Sequence, residues 1–256
     1  NCIKELTKIH QNVYRHLEDE FLWCNSMPCN LPNEESIPIG TYGSSNVGNA
    51  KTVYRNGLHH RYGSTMQMIS GIHYNFSFPS NLWKDYKEIT KNTQSIETIS
   101  NQYYFALIRN FQRQSWLLLY LFGASPAVCA DFAKNTTGEL KQLRSGDKYL
   151  PFATSLRMGP MGYQSNVQSS ISVSYNSLDS YTKSLKKALT DPYPPYAAIG
   201  IKNGNNYNQL ATSLLQIENE FYSTIRPKRR IKSGERALNA LNSRGVEYIE
   251  IRAIDL

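Results

Sequence analysis

Residues 246–254 read Val-Glu-Tyr-Ile-Glu-Ile-Arg-Ala-Ile, and this stretch decides the fold class. The apolar positions 249, 251 and 253 alternate with Glu250 and Arg252. A regular alternation of apolar and charged residues is typical of a β-strand with one face on a core and one polar face. The stretch therefore predicts a strand that carries a carboxylate and a guanidinium on the same face.

Two other stretches repeat this pattern of one polar face. In residues 69–78, His73 and Asn75 alternate with aromatic and aliphatic residues, which predicts a second strand. In residues 213–222 the polar positions Gln216, Glu218, Glu220 and Tyr222 would share one face of a third strand. Such faces are either solvated or the walls of a cleft, and their Gln, His, Asn and Tyr content favours a cleft.

Helical periodicity occupies much of the remaining chain. Apolar residues recur at helical spacing in residues 3–17, 51–68, 100–122 and 178–190, whereas residues 24–50 and 135–177 look like loops with short strands. Strands and helices follow one another without a regular βαβ rhythm or a visible domain boundary. We therefore expect one α+β domain over residues 1–256, built on an antiparallel sheet.

Composition excludes several classes of protein. The 256 residues carry a net charge of +8 and include 18 Tyr, which excludes a disordered chain. The longest uncharged run, residues 114–130, is broken by Gly123 and Pro126, so it predicts a buried helix rather than a membrane span. Four cysteines are too few for a disulfide scaffold, and no spacing completes a zinc site, so reduced thiols are expected.

The first residue, Asn1, lies inside a predicted helix, and the last, Leu256, directly follows a predicted strand. We interpret the chain as a piece of a longer protein.

The polar strand faces restrict the chemistry that a cleft could support. Carboxylates with a histidine suit a divalent cation bound beside phosphates, and arginine suits a forked grip on phosphate or carboxylate. The basic run 226–230 could hold nucleotide phosphates or a nucleic acid. The glycines at 40, 43 and 48 match neither a dinucleotide-binding nor a Walker motif, so any ATP site is of another kind.

Eleven short motifs, in order along the chain, resemble the bacterial glutamate–cysteine ligase family. Each motif alone is weak, but the ordered set is specific and spans nearly all 256 residues. They comprise residues 26–29, 42–46, 51–58, 61–63, 66–67, 69–77, 121–126, 153–157, 215–220 with 225–229, and 246–252.

The resemblance implies a glutamine synthetase-like fold, in which a curved antiparallel sheet forms a funnel with helices outside. It implies ATP-dependent joining of the γ-carboxylate of L-glutamate to the amine of L-cysteine through a γ-glutamyl phosphate. This is the first step of glutathione biosynthesis. The implied metal is Mg²⁺ or Mn²⁺. The resemblance further implies that the protein is cytoplasmic, acts as a monomer, and binds neither nucleic acid nor membrane.

The resemblance also assigns roles at the reacting centre. Glu250 resembles a metal ligand, and His73 resembles a ligand or neighbour of the same metal. Arg252, Arg157 and His73 are the implied catalytic residues, with Arg252 on the transferring phosphoryl group. A simple ion pair for Glu250 with Arg252 and an ordinary core role for His73 are the alternatives.

The remaining implied roles concern substrates. Arg157, Tyr163 and Tyr222 resemble residues beside the amino acids. Asn219 and Arg226 resemble nucleotide contacts, and both Arg55 and Arg226 are candidates for a substrate carboxylate or a phosphate. The implied cysteine pocket, whose members could instead be ordinary packing, consists of Tyr54, Leu58, Gln67 and Asn75.

The family's further acidic metal ligands precede residue 1, so we expect this chain alone to be inactive and poorly soluble. Rival interpretations are the N-terminal half of a bifunctional glutathione-synthesising fusion, a ligase for another amine, and a basic nucleic-acid-binding module. The last is disfavoured because acidic side chains lie among the basic ones and no nucleic-acid motif is present.

Overall fold

A three-stranded antiparallel sheet organises the chain, as the alternation at residues 246–254 predicts. The computed structural model describes residues 1–134, 140–162, 167–168 and 171–256. The sheet order is β1-β8-β7, where β1 is Ile72–Phe76, β8 is Tyr248–Ile254 and β7 is Ile225–Lys228. The predicted mixture of helices with an antiparallel sheet is confirmed.

The central strand, β8, brings together residues that are distant in sequence. Glu250 lies opposite Asn75 on β1 and opposite Arg226 on β7. Residues opposite each other in an antiparallel pair share a face, so the polar face of the sheet has Glu250 at its centre. The register of β1 against β8 shifts between Ile72 and Tyr74, which is where His73 lies.

Seven α-helices are described, and the longest of them packs directly against the sheet. The longest, α4, packs against β7 and β8, and α5 packs against α7. Ile99, Ile108, Leu215, Ile225 and Ile249 are at most 2% exposed in this main core. The helices are α1 (Cys2–Tyr14), α2 (Asn46–Tyr62), α3 (Ser80–Ile89), α4 (Ile96–Phe122), α5 (Leu178–Thr190), α6 (Pro194–Ile199) and α7 (Ala237–Arg244).

The predicted helices lie where the sequence places them, but their bounds differ, and the apolar face predicted for the first helix is not buried. The helix predicted over 51–68 ends at Tyr62, and a 3₁₀ turn at Thr65–Met68 follows it. The amphipathic helix α1 has no buried residue. Among the described residues, no helix combines the length and apolarity that crossing a bilayer requires.

The third predicted strand, 213–222, is wrong. This segment is a loop with a 3₁₀ turn at Glu218–Glu220, and β7 follows it. Gln216 and Glu220 are buried, whereas Glu218 reaches outward to Arg236. The alternation of polar residues reflects a buried hydrogen-bond network rather than one face of a strand.

A second, smaller core lies beside the main one. It is formed by Met27, Val128, Phe132, Ala133 and Leu156. Beside it, the short strands β2 (Ala127–Val128), β3 (Lys141–Gln142) and β4 (Lys148–Tyr149) form one sheet. A separate two-stranded sheet pairs β5 (Lys202–Asn203) with β6 (Asn206–Tyr207).

A disulfide links the two chain segments that build this small core. Cys29 and Cys129 are bonded, with Cα atoms 5.5 Å apart and a sequence separation of 100. The expectation of reduced thiols is therefore wrong for this pair, although it holds for Cys2 and Cys24. Local spacing could not indicate the bond because its partners lie so far apart in the chain.

Candidate active site

A cleft of about 480 Å³ lies between the polar face of the sheet and α2. Of the residues predicted for the site, Asn75 lies opposite Glu250 on β1 but is exposed and does not line the cleft. Tyr163 lies outside the described residues. The predicted residues that line it are Tyr54, Arg55, Leu58, Gln67, His73, Arg157, Asn219, Tyr222, Arg226, Glu250 and Arg252.

Helix α2 forms one wall of this cleft. It begins after Ser45, whose hydroxyl accepts a hydrogen bond from a backbone N–H of the first turn, as a preferred N-cap does. Its last residue is Tyr62, and Gly63 follows with a φ of +83°, which suits glycine. Tyr54 and Leu58, four residues apart, therefore lie on the same helix face.

A neighbouring segment completes that wall. The side-chain amide of Gln67 donates to the backbone oxygen of Arg55 at 3.1 Å. The hydroxyl of Tyr222 contacts the sulfur of Met66 at 3.2 Å. Gln67 is thus bonded to the backbone of α2, and Tyr222 contacts the 3₁₀ turn that follows this helix.

Glu250 is surrounded by positive charge. Its carboxylate lies 3.2 Å from Arg252 and 3.4 Å from Lys228, and 3.8 Å from the Nδ1 atom of His73. Burial alone would raise the pKa of Glu250, but Lys228, Arg252 and Arg226 outweigh it and hold that pKa below its usual range. The carboxylate is therefore ionised at neutral pH.

His73 is held in the neutral form. Burial, followed by the positive charge of Arg252, lowers the pKa of the imidazole below its ordinary value, against the opposing effect of Glu250. A neutral imidazole keeps a lone pair free for a metal or a proton. Burial likewise lowers the pKa of Lys228.

The donor set is compatible with a magnesium ion that is shared with a nucleotide. Mg²⁺ is commonly held by one or two carboxylates together with substrate phosphates and water. Glu250 supplies one carboxylate, with His73 beside it. In the described part of the chain, no cluster of three His, Cys, Asp or Glu side chains occurs.

Arg157 is anchored at the end of β8. Its side chain is fully buried, and its Nε atom donates to Asp255 at 2.8 Å. One terminal nitrogen donates to the backbone oxygens of Arg252 and Ile254, at 2.9 and 2.8 Å. A side chain on Gly71 would lie 2.7 Å from the guanidinium carbon, so a glycine is needed there. Arg157 thus reaches the cleft from a fixed base.

Arg226 closes the opposite side of the cleft. It is 4% exposed and donates to the backbone oxygen of Phe221 and, at 3.2 Å, to that of Asn219. These contacts link β7 to the loop that carries Asn219 and Tyr222.

A second cleft of about 430 Å³ adjoins the first. Asn219, Arg226 and Lys228 line both clefts, so the two meet along β7. Leu238 and Leu241 of α7 give the second cleft an apolar floor. The pair can therefore accommodate a charged and an apolar part of one ligand.

Several residues of the site were not assigned a role from the sequence. Lys228 lies within the basic run, and its pairing with Glu250 follows from the strand register. Asp255 has no pattern around it that predicts its bond to Arg157. Arg61 and Glu220 occur inside the family motifs, but their ion pair joins residues far apart in the chain.

The antiparallel sheet presents a carboxylate, an imidazole and guanidinium groups to one cleft, and α2 and the loop before β7 add phenols, an arrangement that suits small anionic ligands. The sequence comparisons identify the family. The family model described as glutamate-cysteine ligase matches residues 1–256, and the chain belongs to this family.

Two curated relatives show the degree of similarity. Over 99% of its length the chain is 52% identical to a glutamate–cysteine ligase of Alcanivorax borkumensis and 53% identical to one of Pseudomonas putida KT2440. The matches cover 49% and 48% of those proteins. The chain thus spans about half the length of the curated relatives it matches.

Two solved structures share the fold. The crystal structure of a Francisella tularensis glutamate–cysteine ligase in complex with AMP superposes with a TM-score of 0.84 at 42% identity, covering 94% of this chain and 47% of that one. A bifunctional glutathione synthetase from Pasteurella multocida superposes with a TM-score of 0.58 at 27% identity, covering 97% of this chain and 26% of that one.

Proposed function

We propose that the protein containing this chain ligates the γ-carboxylate of L-glutamate to the amine of L-cysteine, with hydrolysis of ATP to ADP and phosphate. The observation that carries the proposal is the cleft around Glu250, in a chain that belongs to the glutamate–cysteine ligase family over its whole length. The reaction is placed in the cytoplasm, where ATP and reduced cysteine occur together.

The chemistry needs an activated carboxyl group. The γ-carboxylate attacks the γ-phosphorus of ATP, ADP leaves, and the amine of cysteine then attacks the acyl phosphate, with loss of phosphate and a proton. Charge accumulates on the phosphoryl oxygens during the first step. Arg252 faces that charge, and Arg157, fixed by Asp255, orients the amino-acid substrate.

A divalent cation, Mg²⁺ or Mn²⁺, would be held by Glu250 and His73 and by carboxylates from outside this chain. Bound there, it would neutralise phosphate charge. Because these two residues are only part of a metal's ligand set, the isolated chain is expected to be inactive. A funnel-shaped sheet would likewise need strands beyond the three described here.

The substrates are assigned to the two clefts. Tyr54, Leu58, Gln67 and Tyr222 form the pocket for cysteine in the first cleft, Asn75 is a further candidate for that pocket, and Tyr163 is a candidate contact of the amino-acid substrates. Asn219 and Arg226 contact the nucleotide, Arg55 takes a substrate carboxylate, and the apolar floor of the second cleft receives the base. The protein is proposed to act as a monomer.

The test is ADP release by the full-length protein that contains this chain, with Mg²⁺ and L-glutamate, with and without L-cysteine. Glu250→Gln is expected to lower kcat at least about a hundredfold, because it removes a charge that faces the metal and phosphates. Glu247→Gln is the matched control, since Glu247 binds Arg230 on the surface near β8. A rate of ADP release that does not depend on L-cysteine, or that is unchanged in Glu250→Gln, would contradict the proposal.

A second candidate is the ligase half of a bifunctional protein that goes on to add glycine. The similarity to the Pasteurella multocida bifunctional glutathione synthetase favours it. Adding glycine to the completed reaction of the full-length protein would then release a second equivalent of ADP.

A further inference from the structure

Near the C-terminal end of α2, next to the cleft, lies a buried ion pair that the proposed mechanism does not use. Arg61 and Glu220 are both fully buried and lie 2.9 Å apart. Two charges in the interior are costly unless every donor and acceptor is matched. The hydrogen bonds of this pair show which segments of the chain it holds together.

The hydrogen bonds of Glu220 are directed at the loop that carries the cleft residues. One carboxylate oxygen accepts from Arg61 and, at 3.0 Å, from the hydroxyl of Tyr62. The other accepts from the backbone N–H of Gln216 at 2.6 Å. The carboxylate thus ties the end of α2 to residues 216–220.

Arg61 makes the same connection from the helix. Its Nε atom and one terminal nitrogen donate to the side-chain oxygen of Gln209 at 3.0 and 2.8 Å. It also donates to the backbone oxygens of Ala211 and Leu214, and it lies 4.1 Å above the ring of Tyr196. We call Arg61, Tyr62, Gln168, Gln216 and Glu220 the brace.

The brace reaches the cleft at Tyr222. Gln168 donates to Tyr62 at 3.2 Å and to the backbone oxygen of Glu220 at 2.8 Å, and its side-chain oxygen accepts from the backbone N–H of Tyr222 at 2.8 Å. The rings of Tyr62 and Tyr222 also meet edge to face at 5.9 Å.

The brace reaches the opposite wall through α2. The side-chain amide of Gln216 donates to the backbone oxygen of Tyr54 at 3.4 Å. A side chain on Gly57 would lie 2.1 Å from the Gln216 oxygen, so the helix rests directly on this amide. Leu58 lies one turn before Arg61 on the same helix. Both sides of the pocket assigned to cysteine are therefore fixed by one network.

We propose that Glu220 is a positioning residue that sets the affinity for the amine substrate, through the brace and without touching any substrate. The inference rests on the proposed function, because it takes Tyr54, Leu58 and Tyr222 as the cysteine pocket. The brace bonds directly to Tyr54 and Tyr222 in the amine pocket and adjoins the nucleotide side at Asn219, the neighbour of Glu220, so its effect should be larger on the amine pocket than on the phosphoryl half.

The experiment measures kcat and separate KM values for L-cysteine, L-glutamate and ATP on the full-length protein. In Glu220→Gln the KM for L-cysteine is expected to rise about tenfold, the equivalent of one charge-assisted hydrogen bond. The KM for ATP should rise less than the KM for L-cysteine, since the brace bonds directly to residues of the amine pocket, whereas the nucleotide contact Asn219 is only its neighbour in sequence. Ile108→Ala, in the core on α4, is the control that lowers stability without changing any KM.

Two milder variants guard against misfolding of Glu220→Gln. Tyr62→Phe keeps the ring and removes one hydrogen bond to Glu220, and Gly57→Ala displaces the Gln216 amide. Both should raise the KM for L-cysteine selectively. Parallel changes in all three KM values, or no change in any, would overturn the inference. A wild-type protein that releases no ADP would instead defeat the proposed function.

Discussion

Two buried arginine–carboxylate pairs flank the cleft, and their carboxylates respond oppositely to burial. Asp255 accepts hydrogen bonds from Arg157, from Ser125 and from two further donors. These outweigh the burial that would raise its pKa, so the pKa of Asp255 lies below its ordinary value. In Glu220, burial dominates over Arg61 and the other donors, so the pKa is raised. An arginine partner therefore does not by itself decide whether the pKa of a buried carboxylate is lowered or raised. The direction depends on how the hydrogen-bond donors balance the effect of burial.

The pairs also hold different parts of the site. Arg157 and Asp255 tie the end of β8 to the loop before β2, next to the small core. Arg61 and Glu220 tie α2 to the loop before β7. The first pair thus fixes the sheet that carries the phosphoryl-binding groups, and the second fixes the walls of the amine pocket.

Removing a carboxylate from the first pair should have the largest effect on stability. Asp255→Ala leaves the buried charge of Arg157 without its partner, and a loss of about 3–5 kcal/mol in the free energy of unfolding is expected. Urea unfolding of the full-length protein measures it. Asp179→Ala, in a surface pair with Lys183, should cost about 0.5 kcal/mol or less. Equal losses in both variants would contradict the comparison.

The disulfide beside the first pair should contribute the next largest effect. Cys129→Ser opens a link between segments 100 residues apart, and about 2–4 kcal/mol of stability is expected to be lost. The second pair lies outside this small core. The KM for L-cysteine should therefore change less in Cys129→Ser than in Glu220→Gln. Unfolding with and without reductant, together with the KM, checks both statements. Identical unfolding curves in the two conditions would show that the bond contributes nothing.

The smallest effects separate the pairs by pH. Asp255 has a lowered pKa, so its contribution to stability is present above its ordinary pKa of 3.8 and is lost as the pH falls through the folded value. Glu220 has a raised pKa, so its contribution is present below 4.5 and is lost as the pH rises through the folded value. Asp255→Asn should flatten the acid limb of the stability curve, and Glu220→Gln the limb above pH 4.5. If both variants changed the pH dependence of the free energy of unfolding in the same pH range and direction, the opposite pKa shifts of Asp255 and Glu220 would be refuted.

The sequence predicts what depends on local period and leaves out what depends on distant partners. The alternation at Glu250 and Arg252 predicts β8 and its polar face correctly, because a strand repeats every two residues. The same rule fails at Gln216 and Glu220, whose spacing serves contacts with α2 far away in the chain. For the cleft, the family motifs carry most of the prediction. They are silent on Asp255, since nothing near it in the chain indicates its partner.

The central place of β8 in the sheet also has a consequence for the order of folding. Its neighbour β1 leaves the ribosome long before β8 is synthesised, because most of the chain lies between Phe76 and Tyr248. Until then the edge of β1 that pairs with β8 is without that partner, and an unpaired edge invites pairing with other chains. Contacts of such long range form slowly. Within this chain the helices that precede β8 are thus available early, whereas the charged face of the sheet is assembled only once β8 has been synthesised.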